Sequence, residues 1–152
     1  MSSNQKTVAE NRKARHEYEL YDRFEAGLEL QGTEIKSIRR GKVQMKDSYV
    51  SFQNGQAYIK GMHISPYEFG NRFNHDEIRD RKLLLHKKEI LKLEQATRIK
   101  GYTVVPVRLY LNHGLAKLEI ALARGKNLHD KREAQKEKDA KREIEKALKN
   151  QY

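Results

Sequence analysis

Apolar residues in this chain recur with period two in short runs separated by turn residues, and that alternation dictates strands with one buried face. Phe24, Ala26, Leu28 and Leu30 fall on one side of an extended segment, and Glu25, Gly27 and Glu29 on the other. The stretch YVSFQNGQAYIK (49–60) sets Asn54-Gly55 between two β-prone runs, a strong hairpin signal because both residues tolerate positive φ. Val105, Val107, Leu109 and Leu111 alternate up to Asn112-His113-Gly114, and Leu118, Ile120 and Leu122 alternate after it. This spacing predicts a hairpin on a three-residue turn with Gly114 left-handed. Pro106 predicts an edge or a bulge.

Two helices interrupt the strands. TEIKSIRRG (33–41) carries Ile35 and Ile38 on one face and Lys36, Arg39 and Arg40 on the others, with Gly41 as a stop. HKKEILKLEQATRIKG (86–101) places Ile90, Leu93 and Thr97 on one face and ends at Gly101. Short strands in hairpins with an intervening helix fit a small barrel of the oligonucleotide-binding type.

The alternation stops near Gly125. The last 27 residues hold 15 charged and seven apolar side chains, paired at helical spacing as Glu137–Lys141, Glu145–Lys149 and Asp139–Arg142. The apolar stripe Ala140, Ile144, Ala147 and Leu148 is thin, which predicts a tail disordered alone and helical on a partner. The expected organisation is a basic N-terminal arm or short helix (1–17), a barrel (18–125) and a basic tail (126–152).

Composition narrows the function. Charged residues make up 35 % and hydrophobic ones 37 %, against roughly 25 % and 45–50 % in average soluble domains, which excludes a large all-round core. No apolar run approaches the ~18 residues that cross a bilayer, and MSSNQKTVAENRKAR lacks the apolar stretch of a signal peptide, so the expectation is a cytoplasmic protein with no membrane role. Without cysteine there is no disulfide, thiolate nucleophile or Cys-ligated metal. Histidines at 16, 63, 75, 86, 113 and 129 show no i,i+4 pair, so no metal site is expected. There is no Walker loop, GxGxxG or GxSxG, and Glu25, Glu29 and Glu34 sit among basic residues that suit ion pairs better than acid–base work. Neither catalysis nor a cofactor is expected.

The net charge of +11 favours a polyanion, nucleic acid before an acidic membrane. It divides into +8 over 1–125 and +3 over 126–152. Three basic patches stand out. NRKARHEY (11–18) gathers Arg12, Lys13, Arg15, His16 and Tyr18 ahead of the first strand. In RDRKLLLHKK (79–88), Arg79, Arg81, Lys82, Lys87 and Lys88 frame three leucines, and alternation buries Leu83 and Leu85 while turning Leu84 outward, where it can pack on an unstacked base or a ribose. ARGKNLHDKR (123–132) joins Arg124, Lys126, Lys131 and Arg132 where the barrel meets the tail.

The blocks NRKARHEY, FEAGLELQGTEIKSIRRG, SYV, RDRKLLLHKKEI, GYTVVP and ARGKNLHDKR together resemble the SsrA-binding protein (small protein B) family, in order and in register from about Asn11 to Arg132. The resemblance implies a mainly β fold, a closed six-stranded antiparallel barrel related to the OB-fold with accessory helices. It implies no enzyme activity. It implies binding to the tRNA-like domain of transfer-messenger RNA (tmRNA, SsrA) and rescue of stalled ribosomes by trans-translation, with elongation factor Tu reached indirectly through aminoacylated tmRNA. The family's RNA-facing positions match at Asn11, His16, Tyr18, Glu25, Arg81, Leu84, Lys117, Arg124 and Lys126, to which Arg15 of the first patch and Lys36 of the 33–41 helix are added. A carboxylate such as Glu25 is repelled by phosphate, so against RNA it should accept hydrogen bonds from base or amide donors, or hold an arginine. His129, Asp130, Lys131 and Arg132 are implied to contact small-subunit rRNA at the decoding centre, and the tail to probe the empty mRNA channel. One departure is Asp76-Glu77-Ile78, where a proline is common in the family. A general single-stranded RNA module and a structural ribosomal protein remain the competing readings.

Overall fold

At Asn54-Gly55 the chain reverses with φ of 52° and 74°, and the flanking residues pair from Gln53–Gln56 to Tyr49–Lys60. Two consecutive positive φ values match the twist of the strands they join. The computed structural model describes residues 5–70, 74–126, 141–145 and 147–148. In chain order the elements are β1 (Gln5–Glu10), α1 (Arg12–Glu17), β2 (Tyr18–Leu28), α2 (Gly32–Arg39), β3 (Val43–Gln44), β4 (Tyr49–Gln53), β5 (Gln56–Lys60), β6 (His63–Ile64), β7 (Arg81–Leu84), α3 (Lys87–Thr97), β8 (Tyr102–Asn112) and β9 (Leu115–Gly125).

Seven strands form one antiparallel sheet in the order β1-β8-β9-β2-β7-β5-β4, and β3 pairs with β6 separately. The sheet is not closed, which corrects the expected six-stranded barrel. Closure requires the two end strands to hydrogen-bond each other, yet among the described residues β1 pairs only with β8 and β4 only with β5. β1, read in the sequence as part of an arm, already occupies the outer edge of β8. A cleft of about 300 Å³ lined by Asn11, Ala14, Ser48, Tyr49 and Val105 lies beside α1 and the start of β4.

The β8–β9 hairpin also departs from expectation. Asn112 pairs with Leu115, leaving a two-residue turn in which His113 (φ 52°) and Gly114 (φ 81°) are both left-handed. Pro106 sits at a bulge, the register shifting between Pro106 and Arg108. It is not on an edge, because β8 lies between β1 and β9.

α2 ends in a Schellman motif: the Gly41 amide donates to the Ile38 carbonyl (2.9 Å) and the Lys42 amide to the Ser37 carbonyl (3.0 Å), with Gly41 at φ 73°. α3 buries Ile90, Leu93 and Ala96 rather than Thr97, whose hydroxyl donates to the Glu94 carbonyl. In the loop where a proline was expected, the Asp76 side chain accepts from the Ile78 amide (3.0 Å), a local turn made without a ring.

The core is built from the inward rows of β2, β5, β7, β8 and β9 with Ile38, Leu93 and Ile64 over it. Residues 141–145 and 147–148 are helical, and Ile144 and Leu148 are buried within the same cluster. Two of the four tail residues judged too few to fix a helix are thus enclosed, because they meet a pre-existing apolar surface instead of having to make one.

Candidate nucleic-acid interface

Leu84 and Lys117 are 33 positions apart in sequence, and Gly27 joins them. Gly27 pairs with Leu84 on one side and with Lys117 on the other, so the three form one row across β7, β2 and β9. A Cβ at position 27 would lie 3.2 Å from the Leu84 Cβ, so glycine gives Leu84 its seat. Leu84 is 52 % exposed while Leu83 is buried, as alternation predicts. Next to the row a cleft of about 390 Å³ is lined by Leu28, Ile35, Arg39, Leu84, Leu115 and Lys117.

Glu25 lies two residues along β2 and therefore on the same face, opposite Glu119. It is exposed, and one of its oxygens accepts a hydrogen bond from the buried Tyr110 hydroxyl. Burial, reinforced by that bond, pushes the Tyr110 phenol up, so it stays a donor. The Arg108 guanidinium lies 4.2 Å from the centre of the Tyr110 ring and bonds Glu119, which also pairs with Arg23 at 2.9 Å. Glu25 thus holds a tyrosine capped by an arginine, rather than the arginine itself.

A second surface forms at the far end of β2, where α1 meets the end of β9. Tyr18 pairs with Gly125, the Lys126 amide donates to the Glu17 carbonyl (2.8 Å), and the Lys126 Nζ reaches the Arg15 carbonyl (3.4 Å). Arg15, His16 and Lys126 are exposed, Tyr18 half-buried, and Arg124 lies 5.2 Å from the Tyr102 ring centre. Sequence reasoning named all five of these residues, and the fold brings them together. Lys36 belongs to neither surface: it projects from α2 to within 5.4 Å of the Tyr67 ring centre. His129, Asp130, Lys131 and Arg132 lie outside the described residues.

Two of the expected RNA-facing side chains point inward. Arg81 is fully buried: its Nε bonds Glu34, Nη1 donates to the Met62 carbonyl (2.6 Å) and Nη2 to the Glu77 carbonyl (3.1 Å). It shares the inner row of β7 with Leu83, so the alternation that buries Leu83 also buries Arg81. Burial would push the Glu34 carboxyl up, but bonds from Arg79, the Gln31 amide and Arg81 outweigh it and hold Glu34 below the usual carboxylate range. Asn11 is buried as well. Its Oδ1 caps α1 at the Ala14 amide (3.2 Å) and its Nδ2 donates to the Pro106 carbonyl (2.9 Å), locking the helix to the bulge in β8. Arg81 and Asn11 therefore position the two surfaces from beneath. Tyr110 and Arg108, which sequence reasoning missed, were legible only as outward positions of an alternating strand.

Among the described residues no group of His, Asp and Glu is placed to hold a metal ion, and no helix is long and apolar enough to cross a membrane. The profile of the family described as "SmpB protein" matches residues 8–150 of the chain. The chain belongs to the SmpB family. An SsrA-binding protein of Staphylococcus haemolyticus (strain JCSC1435) is 58 % identical over 146 residues, 96 % of this chain and 94 % of that protein. One from Staphylococcus aureus (strain Newman) is also 58 % identical, covering 96 % and 95 %. A solved SmpB structure described as "tmRNA-SmpB: a journey to the center of the bacterial ribosome" superposes with a TM-score of 0.68 at 47 % identity, over 81 % of this chain and 87 % of that one. The SmpB match spans both surfaces and includes His129 to Arg132.

Proposed function

We propose that this SmpB-family protein binds the tRNA-like domain of transfer-messenger RNA and brings it to stalled ribosomes for trans-translation, without catalysis of its own. The observation that carries the reading is the row Leu84–Gly27–Lys117, an apolar contact and a cation set side by side on one rigid sheet face. Leu84 packs on an unstacked base or ribose, Lys117 neutralises phosphate, and the Glu25 oxygen left free by Tyr110 accepts from a base amino group. Arg15, His16, Tyr18, Arg124 and Lys126 form a second phosphate-facing contact at the other end of β2. His129, Asp130, Lys131 and Arg132 contact small-subunit rRNA, and the tail gives up the seat of Ile144 and Leu148 on the domain to enter the empty mRNA channel, where rRNA phosphates neutralise its lysines. Elongation factor Tu joins indirectly through the aminoacylated RNA, and the complex acts in the cytoplasm. The relatives' name, SsrA-binding protein, and the neighbour's tmRNA and ribosome support the reading.

Leu84→Ser and Lys117→Ala should each weaken binding of a folded tRNA-like RNA at least tenfold in a mobility-shift titration. Lys131→Ala with Arg132→Ala should leave that binding within twofold and abolish tagging on stalled ribosomes. Point changes are the right instrument, because deleting the tail would also remove Ile144 and Leu148 from the core. Equal loss of both activities in the double variant would overturn this division of labour. Preference for a single-stranded oligomer over the tRNA-like RNA at matched salt would favour a general RNA module.

A further inference from the structure

α2 is a ridge between two clefts. Ile35 and Arg39 line the one beside Leu84, while Ser37 and Arg40 line another of about 390 Å³ closed by Ser65, Pro66, Tyr67 and Glu68. This second cleft belongs to neither surface described above. On its rim Phe69 is 64 % exposed and stands edge-on to Tyr67, ring centres 5.4 Å apart. The Arg40 guanidinium lies 5.6 Å from the Tyr67 ring centre and 5.1 Å from that of Phe69, and Lys36 approaches Tyr67 from the next turn.

The loop that presents these rings is held from behind. Asn74 accepts from the Tyr67 amide (2.9 Å) and donates to the Tyr67 carbonyl (2.6 Å), while a Cβ on Gly70 would lie 2.6 Å from Asn74 Nδ2. The buried His75 accepts or donates at Thr33 Oγ1 on α2 (2.8 Å) and reaches the Ile64 carbonyl (2.8 Å) with its other nitrogen. An exposed aromatic on a clamped loop loses little further entropy on binding a ligand. The Ser37 hydroxyl, on the buried residue that lines the cleft, has no hydrogen-bond partner among the described residues. Lys36, Arg40 and Lys42 outnumber Glu68, whose carboxylate pairs with Arg40 and must give it up to a competing anion.

We propose that this cleft seats one unstacked nucleotide of single-stranded RNA, its base on Phe69 and Tyr67 and its phosphate on Arg40 and Lys42. The rings supply the sequence-tolerant stacking that single-stranded RNA uses and the cations the phosphate contact. The proposal rests on the RNA-binding reading but places the contact at a different surface, and the two fail separately.

The chain has no tryptophan, so Phe69→Trp adds one indole at the seat that can be excited apart from the eight tyrosines. Titration of this variant with a six-nucleotide single-stranded RNA should give saturable quenching. Arg40→Ala in the same background should weaken the apparent affinity at least tenfold, and Lys6→Ala, at an exposed position of β1, should leave it within twofold. Unchanged emission at RNA concentrations that saturate a mobility shift would overturn the proposal, as would equal quenching by poly-glutamate, which would mark an acidic-protein site. Should Phe69→Trp fail to fold by circular dichroism, a 4-thiouridine hexamer crosslinked to the unsubstituted protein should map to Tyr67 or Phe69. Crosslinks confined to other residues would overturn it.

Discussion

Glu34 and Arg81 are both removed from water, and each is tolerable only because the other is there. Arg79 adds a second cation at 2.6 Å from the same carboxylate while keeping its own outer surface wet. Arg81→Ala leaves Glu34 with Arg79 alone and orphans the Met62 and Glu77 carbonyls, and should cost about 3–5 kcal/mol in urea denaturation. RNA affinity of the fraction that remains folded should change little, in contrast to Lys117→Ala. Since Glu34 is held below its unfolded value of 4.5, the unfolded chain binds the proton first as pH falls. Stability from this carboxylate is full above that value and declines as pH falls through it toward the native pKa; in Arg81→Ala the decline should be smaller. The burial of Leu83 was legible from alternation, and the same alternation placed Arg81 inside. Charge argued against that reading, since arginine is rarely enclosed without a partner. The partner lies 47 positions earlier, on α2, and nothing local connects the two.

Elements bounded by turns were the readable ones. Asn54-Gly55 and Gly41 each require a left-handed backbone, so the β4–β5 hairpin and the end of α2 follow from local chemistry. β1 was not readable, because QKTVAE has no alternating apolar row and its place is decided by the open edge of β8. The same is true of the helical residues 141–145 and 147–148, where the burial of Ile144 and Leu148 depends on the apolar surface they meet. Lys141 lies 5.3 Å from the centre of the Tyr21 ring beside that contact. Ile144→Ala should speed amide hydrogen exchange across this segment at least tenfold while leaving β8 and β9 protected. Equal acceleration in both would mean that the segment and the sheet open as one unit.

At the scale of the whole molecule, the +11 charge is not one uniform field. The sheet face around Lys117 sets Glu25 and Glu119 among its cations, and the α1–β9 end sets Glu10, Glu17 and Glu19, the last directly opposite Arg124, among Arg15, Arg124 and Lys126. Lys117→Ala and Lys126→Ala should therefore each lower the slope of log K against log salt by about 0.7–0.9. Leu84→Ser should weaken binding without changing that slope. A common change of slope in all three variants would mean that charge alone selects the RNA.

Both surfaces are mounted on β2, Tyr18 at one end and Gly27 at the other. A bulge between Leu20 and Arg23 sets nine residues of β2 against eight of β9, so the ends stand about 26 Å apart, and the flanking pairs with β9 leave that length little freedom. β2 is in effect a ruler. An RNA whose fold offers contacts at both marks gains avidity with no linker to order, because the second contact follows at a concentration fixed by the strand. A short oligomer cannot span both marks and forgoes that gain, so selection can proceed by length.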